Sequence, residues 1–577
     1  MDEPDGPVAG LPTFGPDHSK GARMRRVIAL LCLVLGTVPL LLGTAAAAVV
    51  GPDDRADLRP LAAPAGVRAV VVPHDLVPLS GVTLHVEAHA DRGDVLVGAA
   101  HPVDVASYVS TTRRFVVLRA GTDGRPAGEV RGRMDDAPGD LTSATFWAAD
   151  DRGAGTRELD VVLTDDPVAV TAVAAEPGAR LDVVVGVEVA SAFLVATATA
   201  VTGGALVAVG IFLLRRRGPG GVGSDEVSAS GRGVVGRSHV AAAAAHVARR
   251  SRVTGLASVV AVATAMSVTG CVARPGVAIR PSEPERLAVT DTERDAPDPS
   301  PHPYSVAAAA AAAGDPAAWA AVLSGPELEA QQFETRVELA RAAQDGTPVD
   351  GSTYGLTTLE ELNPSFARYP LFHVEVTRKE GDATAPPLLR LSERRDVLDG
   401  WHVLAETTVT EGTVLHRGDQ DAPHAPQEAD LARAQDGLAA VQHYVRTGET
   451  GPIAELGALD DVRRDLLLGD LGAVVQSVTV DPWGDRADPF GPGGASRAFA
   501  VEGGSVAVLS LDADVTNSSM SADDPLRFVD PAVADLVGQP GWRTALRVRA
   551  VVIVAVAVSS SGSVTVLGAS AKPVDGA

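Results

Sequence analysis

The chain is poor in cysteine, lysine and aromatic side chains, and each shortage removes a class of explanation. Only two cysteines occur in 577 residues. Cys32 lies inside one apolar run and Cys271 at the end of another, so no disulfide framework is available and the folded parts must be held by packing. Lysine occurs only at Lys20, Lys379 and Lys572, which leaves three candidates for any chemistry that needs an amine. Aromatic residues are 4% of the chain against 46% hydrophobic, so the cores must be built from Ala, Val and Leu. A formal charge of −24 argues against a nucleic-acid partner, because phosphate binding needs clustered cations and this surface repels it.

The local signatures of catalysis are missing as well. The chain has no G-x-S-x-G, S-x-x-K, H-E-x-x-H or C-x-x-C, and no phosphate loop ending in Lys. Gly218, Gly220 and Gly223 spell G-x-G-x-x-G, but no strand precedes them and no helix opens directly after, so no nucleotide is implied. His402, His416, His424 and His443 with Asp419 and Asp421 match no metal spacing and read as loop residues. Asp512, Asp514, Thr516 and Asp523 echo a calcium loop, yet Asn517 stands where that loop needs Gly, so a charged hairpin end is expected. Trp319, Trp401, Trp483 and Trp542 read as core anchors rather than as a sugar-binding face. No catalytic residue, metal ligand or cofactor is therefore assigned.

What the chain does have is apolar runs flanked by arginine. Val27 to Val50 follows Arg25 and Arg26 and as a helix is about 36 Å long, enough for a bilayer core of about 30 Å. The small residues from Thr44 to Ala48 also suit signal peptidase, so this segment is either a retained transmembrane helix or a removed signal peptide. A second run, 189–214, ends in Arg215, Arg216 and Arg217, which marks a cytoplasmic end. A third, 253–271, follows Arg249, Arg250 and Arg252 and stops at Val268-Thr269-Gly270-Cys271. That tetrapeptide resembles a bacterial lipobox, which implies cleavage before Cys271 and a thioether from its thiol to lipid; the alternative is a plain third spanning helix. The implied path puts the tail 1–26 inside, 51–188 outside, 215–252 inside and everything after Cys271 outside.

Between the membrane segments, 51–188 carries short alternating runs such as Val82, Leu84, Val86 and Ala88, then Phe115 and Val117, then Leu159, Val161 and Leu163. Turn chemistry stands at Asp91-Arg92-Gly93, Thr122-Asp123-Gly124 and Asp151-Arg152-Gly153, so an all-β, sandwich-like ectodomain is expected. Residues 272–303 are rich in Pro, Asp and Glu and read as a disordered tether. In 304–577, helices precede alternating strands twice, in halves of about 304–422 and 423–577. Asp315-Pro316 and Gly325-Pro326 each open a helix in the first half, and a closing hairpin spans Leu546 to Val566. This order suits an α+β domain, compatible with tandem cone-like halves.

The heavy Ala, Val, Gly, Asp and Arg usage resembles actinobacterial proteins. Asp104-Val105-Ala106-Ser107-Tyr108, Phe146-Trp147 and Gly155-Thr156 with Leu159-Asp160-Val161, followed by a span, resemble an uncharacterised family of membrane-anchored β-rich ectodomains over about 51–217. Residues 271–577 resemble an actinobacterial lipoprotein domain of unknown function. The expected protein is a cell-envelope membrane protein or lipoprotein whose partners are membrane lipid and an envelope protein or polymer. Its expected role is a non-enzymatic binding or assembly module; the alternative is an envelope hydrolase with a dispersed acidic site.

Overall fold

The computed structural model describes residues 18–120, 125–133, 144–215, 278–279, 286–288, 303–353, 355–362, 364–413, 415, 426–467 and 474–574. The chain divides into two compact units, one of Met1–Val105 with Val109–Glu283 and one of Ala106–Tyr108 with Pro284–Ala577. Both are rich in strands. Among the described residues two helices, Arg26–Val50 and Ala192–Arg215, are long and apolar enough to cross a membrane.

In chain order the first part forms helix α1 (His18–Val50), strands β1 (Arg55–Asp57), β2 (Leu61–Ala62), β3 (Ala69–Val72), β4 (Leu79–Ser80) and β5 (Val82–Ala100), and helix α2 (Pro102–Tyr108). Strands β6 (Arg114–Ala120), β7 (Pro126–Arg131), β8 (Ala149–Leu163), β9 (Ala169–Ala174) and β10 (Leu181–Glu188) follow, then helix α3 (Ala192–Arg215). The 19-residue β5 is the spine: its first part pairs with β10, its second with β9, and β8 runs along its other edge throughout. Beyond β9 come β3, β6 and β7.

Inward residues of β5 are Val82, Leu84, Val86, Ala88 and Ala90, then Val95, Val97 and Ala99. The parity changes because the pairing with β8 shifts between His89 and Asp94, a bulge in which Gly93 has φ of 70°. Gly153 of β8, opposite Val95, bends there too with φ of 140°. The ribbon thus folds over, and both stretches turn apolar side chains into one core with Val70, Val170, Val183 and Val185. The turn chemistry at 91–93 and 151–153 therefore marks bends in two long paired strands, not hairpin ends. A glycine at positive φ serves either purpose, and the pairing partner decides which. Thr122-Asp123-Gly124 lies outside the described residues. Within the segment expected to be a tether, strand β11 (Ala278–Ile279) pairs with β4 in the first unit, and β12 (Leu287–Ala288) with β14 (Ser365–Phe366) in the second.

After β12 the second unit continues with helix α4 (Pro303–Ala312), a 3-10 turn at Pro316–Ala321 and helix α5 (Gly325–Asp345). Strands β13 (Leu356–Leu362), β15 (Leu371–Lys379), β16 (Leu388–Arg394) and β17 (His402–Thr408) then form an antiparallel meander. Further on come α6 (Glu428–Thr447), β18 (Ile453–Glu455), α7 (Ala458–Leu466), β19 (Val474–Pro482), β20 (Arg497–Val501), β21 (Gly504–Ser519), α8 (Pro531–Leu536), β22 (Ala545–Ser559) and β23 (Val564–Val574). Asp315 opens only a 3-10 turn, its carboxylate accepting from the Ala317 N–H at 3.2 Å. The true first helix, α4, is an alanine run that amphipathic periodicity cannot flag but that alanine's helix propensity supports.

One plan occurs twice. In the first half α4 leads to Leu323, which bridges Val403 of the last strand in parallel, then to α5 and four antiparallel strands. In the second, α6 leads to β18, parallel to the last strand β23, then to α7 and the antiparallel run β19-β21-β22-β23. The halves join where Val409 bridges Gly568 and where α8 packs Ala532 against Phe333 and Val337 of α5.

Candidate functional site

The register of the first meander sets Glu375 of β15 opposite Arg390 of β16, and Arg390 opposite Glu406 of β17. The three form a charged row across one sheet face, with Arg390 Nε 2.7 Å from Glu406 Oε2 and the Thr358 hydroxyl donating to Glu375 at 3.2 Å. Over that face lie α4, the 3-10 turn and α5. Trp319 meets Tyr304 edge-on at 5.2 Å and donates its indole N–H to Thr335 at 2.9 Å, while the Arg390 guanidinium lies 5.6 Å from the Tyr304 ring centre. Between sheet and helices is a cavity of 890 Å³. From α5 it receives Gln331, Glu334, Thr335 and Glu338, spaced as one helical face. Asp350, fixed by the backbone N–H and hydroxyl of Ser352 at 2.9 Å each, lines it too.

One cation of the cavity comes from the other half. Lys572 of β23 places Nζ 2.6 Å from Oε1 of the buried Glu327, whose Oε2 accepts the Glu406 N–H at 3.2 Å. Lining carboxylates (Glu334, Glu338, Asp350, Glu375, Glu406) outnumber lining cations (Arg390, Lys572) five to two. Proton affinities follow from that excess, from burial and from local hydrogen bonds. Burial alone would lower the Lys572 pKa, but Glu327, Glu406 and Glu334 raise it overall. Burial would likewise lower Arg390, and Glu406, Tyr304 and Glu375 reverse the sign. Burial lifts Glu327, with Lys572 opposing only in part, and burial together with Glu334 lifts Glu338. Ser352 holds Asp350 low and hence ionised. Chemically, the arrangement is a set of fixed acceptors with two guarded cations, suited to holding positive charge.

Apart from Lys572 and Trp319, none of these residues was singled out from the sequence. The available signal was the polar stripe on α5 and the polar alternation of β15. Of the residues that were singled out, Arg25 and Arg26 lie in α1, with Arg26 exposed at the head of the apolar span, and Arg215 closes α3. Arg216, Arg217, Arg249, Arg250, Arg252, Val268, Thr269, Gly270 and Cys271 lie outside the described residues, as do His416, Asp419, Asp421 and His424. His402 pairs with Asp399 at 3.0 Å and His443, on α6, with Glu449 at 3.1 Å. Among the described residues no group of three or more His, Cys, Asp or Glu is placed to hold a metal ion. Asp512, Asp514 and Thr516 occupy alternate positions of the continuous strand β21, and Arg549 binds Asp512 at 2.9 Å. Trp319 is buried, Trp483 donates to Glu329 at 3.1 Å, and Trp542 departs from the expected core role, being 62% exposed beneath Arg527.

Comparison of the chain with protein-family models, curated proteins and solved structures gives no match.

Proposed function

We propose that the protein is a non-enzymatic binding or assembly module of a bacterial cell envelope, held in the membrane and taking a small cationic ligand in the cavity of its second unit. The observation that carries this reading is the cavity itself: its volume is in the usual range for small-molecule sites, roughly 300–1,000 Å³, and its charge is in surplus on the acidic side. Glu406 and Glu375 are tied to Arg390, which suits fixed acceptors better than proton donors in a hydrolase. In the fuller reading, 51–188 is a sandwich-like ectodomain, 304–577 a tandem cone-like α+β domain, and the protein belongs with actinobacterial envelope proteins. The pairing of Ala278–Ile279 with Leu79–Ser80 supports a return of the chain, after α3, to the side on which 51–188 lies. A lipid anchor at Cys271 suits that return.

Calorimetric titration of the detergent-solubilised full chain with spermidine, and with citrate as the anionic control, tests the ligand class. Saturable binding of spermidine alone is expected, weakened roughly tenfold in a Glu334→Gln, Glu338→Gln double variant, as loss of two charge-assisted contacts implies. Absence of saturable binding by organic cations defeats the reading. Turnover of an envelope polymer that depends on Glu338 would establish the hydrolase instead.

A further inference from the structure

We infer that α1 is a retained membrane helix, the permanent partner of α3 in an antiparallel hairpin, and not a signal segment removed on export. The inference stands apart from the ligand proposal and rests on the first unit alone.

Small residues recur at seven-residue intervals on both helices: Ala29, Gly36 and Gly43 on α1, and Ala196, Gly203 and Gly210 on α3. The two rows meet. A Cβ on Gly36 would stand 2.7 Å from the Gly203 carbonyl oxygen, one on Gly43 2.6 Å from the Ala196 oxygen, and one on Gly210 2.9 Å from the Ala29 oxygen. Backbones this close have room for hydrogen and nothing larger, and a seven-residue period keeps such a seam in contact along a left-handed pair. Leu31, Leu35, Val201 and Phe212 point outward and are exposed, as lipid-facing residues would be. Export needs only an apolar core in a signal segment; it places no demand for glycine at matched positions on another helix.

The outer end is tied independently. Asp54, just beyond α1, accepts the Ser191 N–H at 2.9 Å and the Phe193 N–H at 2.7 Å, capping the first turn of α3. Pairing of β1 with β10 brings the two helices out of the same end of the strand-rich region. The antiparallel seam then sets Arg26 and Arg215 at one common end, the arrangement that the positive-inside rule requires of a two-helix hairpin.

The test is the N-terminus of the full chain, carrying an N-terminal epitope, after production in a bacterium and extraction from its membrane. Intact mass should show the epitope on the same polypeptide as 51–215, whether or not the chain is also cut before Cys271. A chain beginning between residues 45 and 51 overturns the inference. A second measurement uses Leu40→Cys with Gly204→Cys in a Cys32→Ala background, since a Cβ on Gly204 would meet only Leu40 Cδ1, at 3.7 Å, and so leaves the seam in place. Oxidation should cross-link the helices, and adding Gly36→Leu should cut the yield roughly fivefold by prising the seam apart. An uncleaved chain that gives no cross-link rules out the hairpin.

Discussion

The two halves of the second unit repeat one order of elements and differ in what fills them. In the second half, the space between helices and sheet is solid: Leu438 and Val441 of α6 and Leu459 of α7 pack on Leu509, Leu511, Val552 and Val554. In the first half, the corresponding side of the sheet carries Glu375, Arg390 and Glu406, and the space is a cavity. The topology therefore does not dictate the interior; a few outward or inward choices on the central strands do. The polar half also leans on the apolar one. Lys572 and Arg549 reach from β23 and β22 to Glu327 and Glu329 on α5, so charges that the first half cannot balance are balanced by its neighbour.

That dependence can be broken at one residue, with the largest effect expected anywhere in the unit. Lys572→Met leaves Glu327 buried without its ammonium and should lower stability by about 3–5 kcal/mol in urea denaturation. A loss under about 1 kcal/mol would mean the halves are not coupled through this pair. The contrast in filling is sharpened by paired substitutions. Leu509→Ala in the apolar half should cost about 3 kcal/mol and Ala507→Phe about 2 kcal/mol, because neither a void nor extra volume fits a closed core. Thr358→Phe, on the cavity wall, should change stability by less than about 1 kcal/mol while abolishing spermidine binding. Equal costs at 507 and 358 would remove the distinction.

Two titrations separate the halves more gently. Lys572 holds its proton more tightly in the folded chain than its ordinary value of 10.5, so its contribution is complete below that pH and is lost as pH rises through the higher folded value. Wild type should therefore lose stability on the alkaline side more steeply than Lys572→Met. In the apolar half, burial and the hydroxyl bond to Asp460 push Tyr444 up to about 12. Its phenolate absorbance should appear near that pH, and Asp460→Asn should draw the transition downward; an unchanged transition would assign the shift to burial alone.

Parts of this were legible in advance and parts were not, for reasons that differ by residue. Phe372, Val374 and Val376 alternate with His373, Glu375 and Thr377, which ordinarily assigns the second set to solvent. In the fold His373 and Thr377 are buried nonetheless, His373 against the Trp401 ring and Glu361. Alternation reports that two faces differ; it does not report that one is wet. Glycines 93 and 153 announced a change of direction, but only the pairing of β5 with β8 shows a bent ribbon where two turns were expected.

The sequence by itself determined the elements whose causes are local: two apolar helices of spanning length, the strand periods, the hairpin closing on Val566, and the scarcity that leaves Lys572 as one of three lysines. Tertiary structure alone decided which distant residues meet, among them Glu327 with Lys572 across 245 positions, and Gly36 with Gly203. The physical reason is that periodicity and propensity act within a few residues, whereas a buried charge or a close helix contact is satisfied by whatever the chain's path brings beside it, and that path is set by the packing of the whole unit.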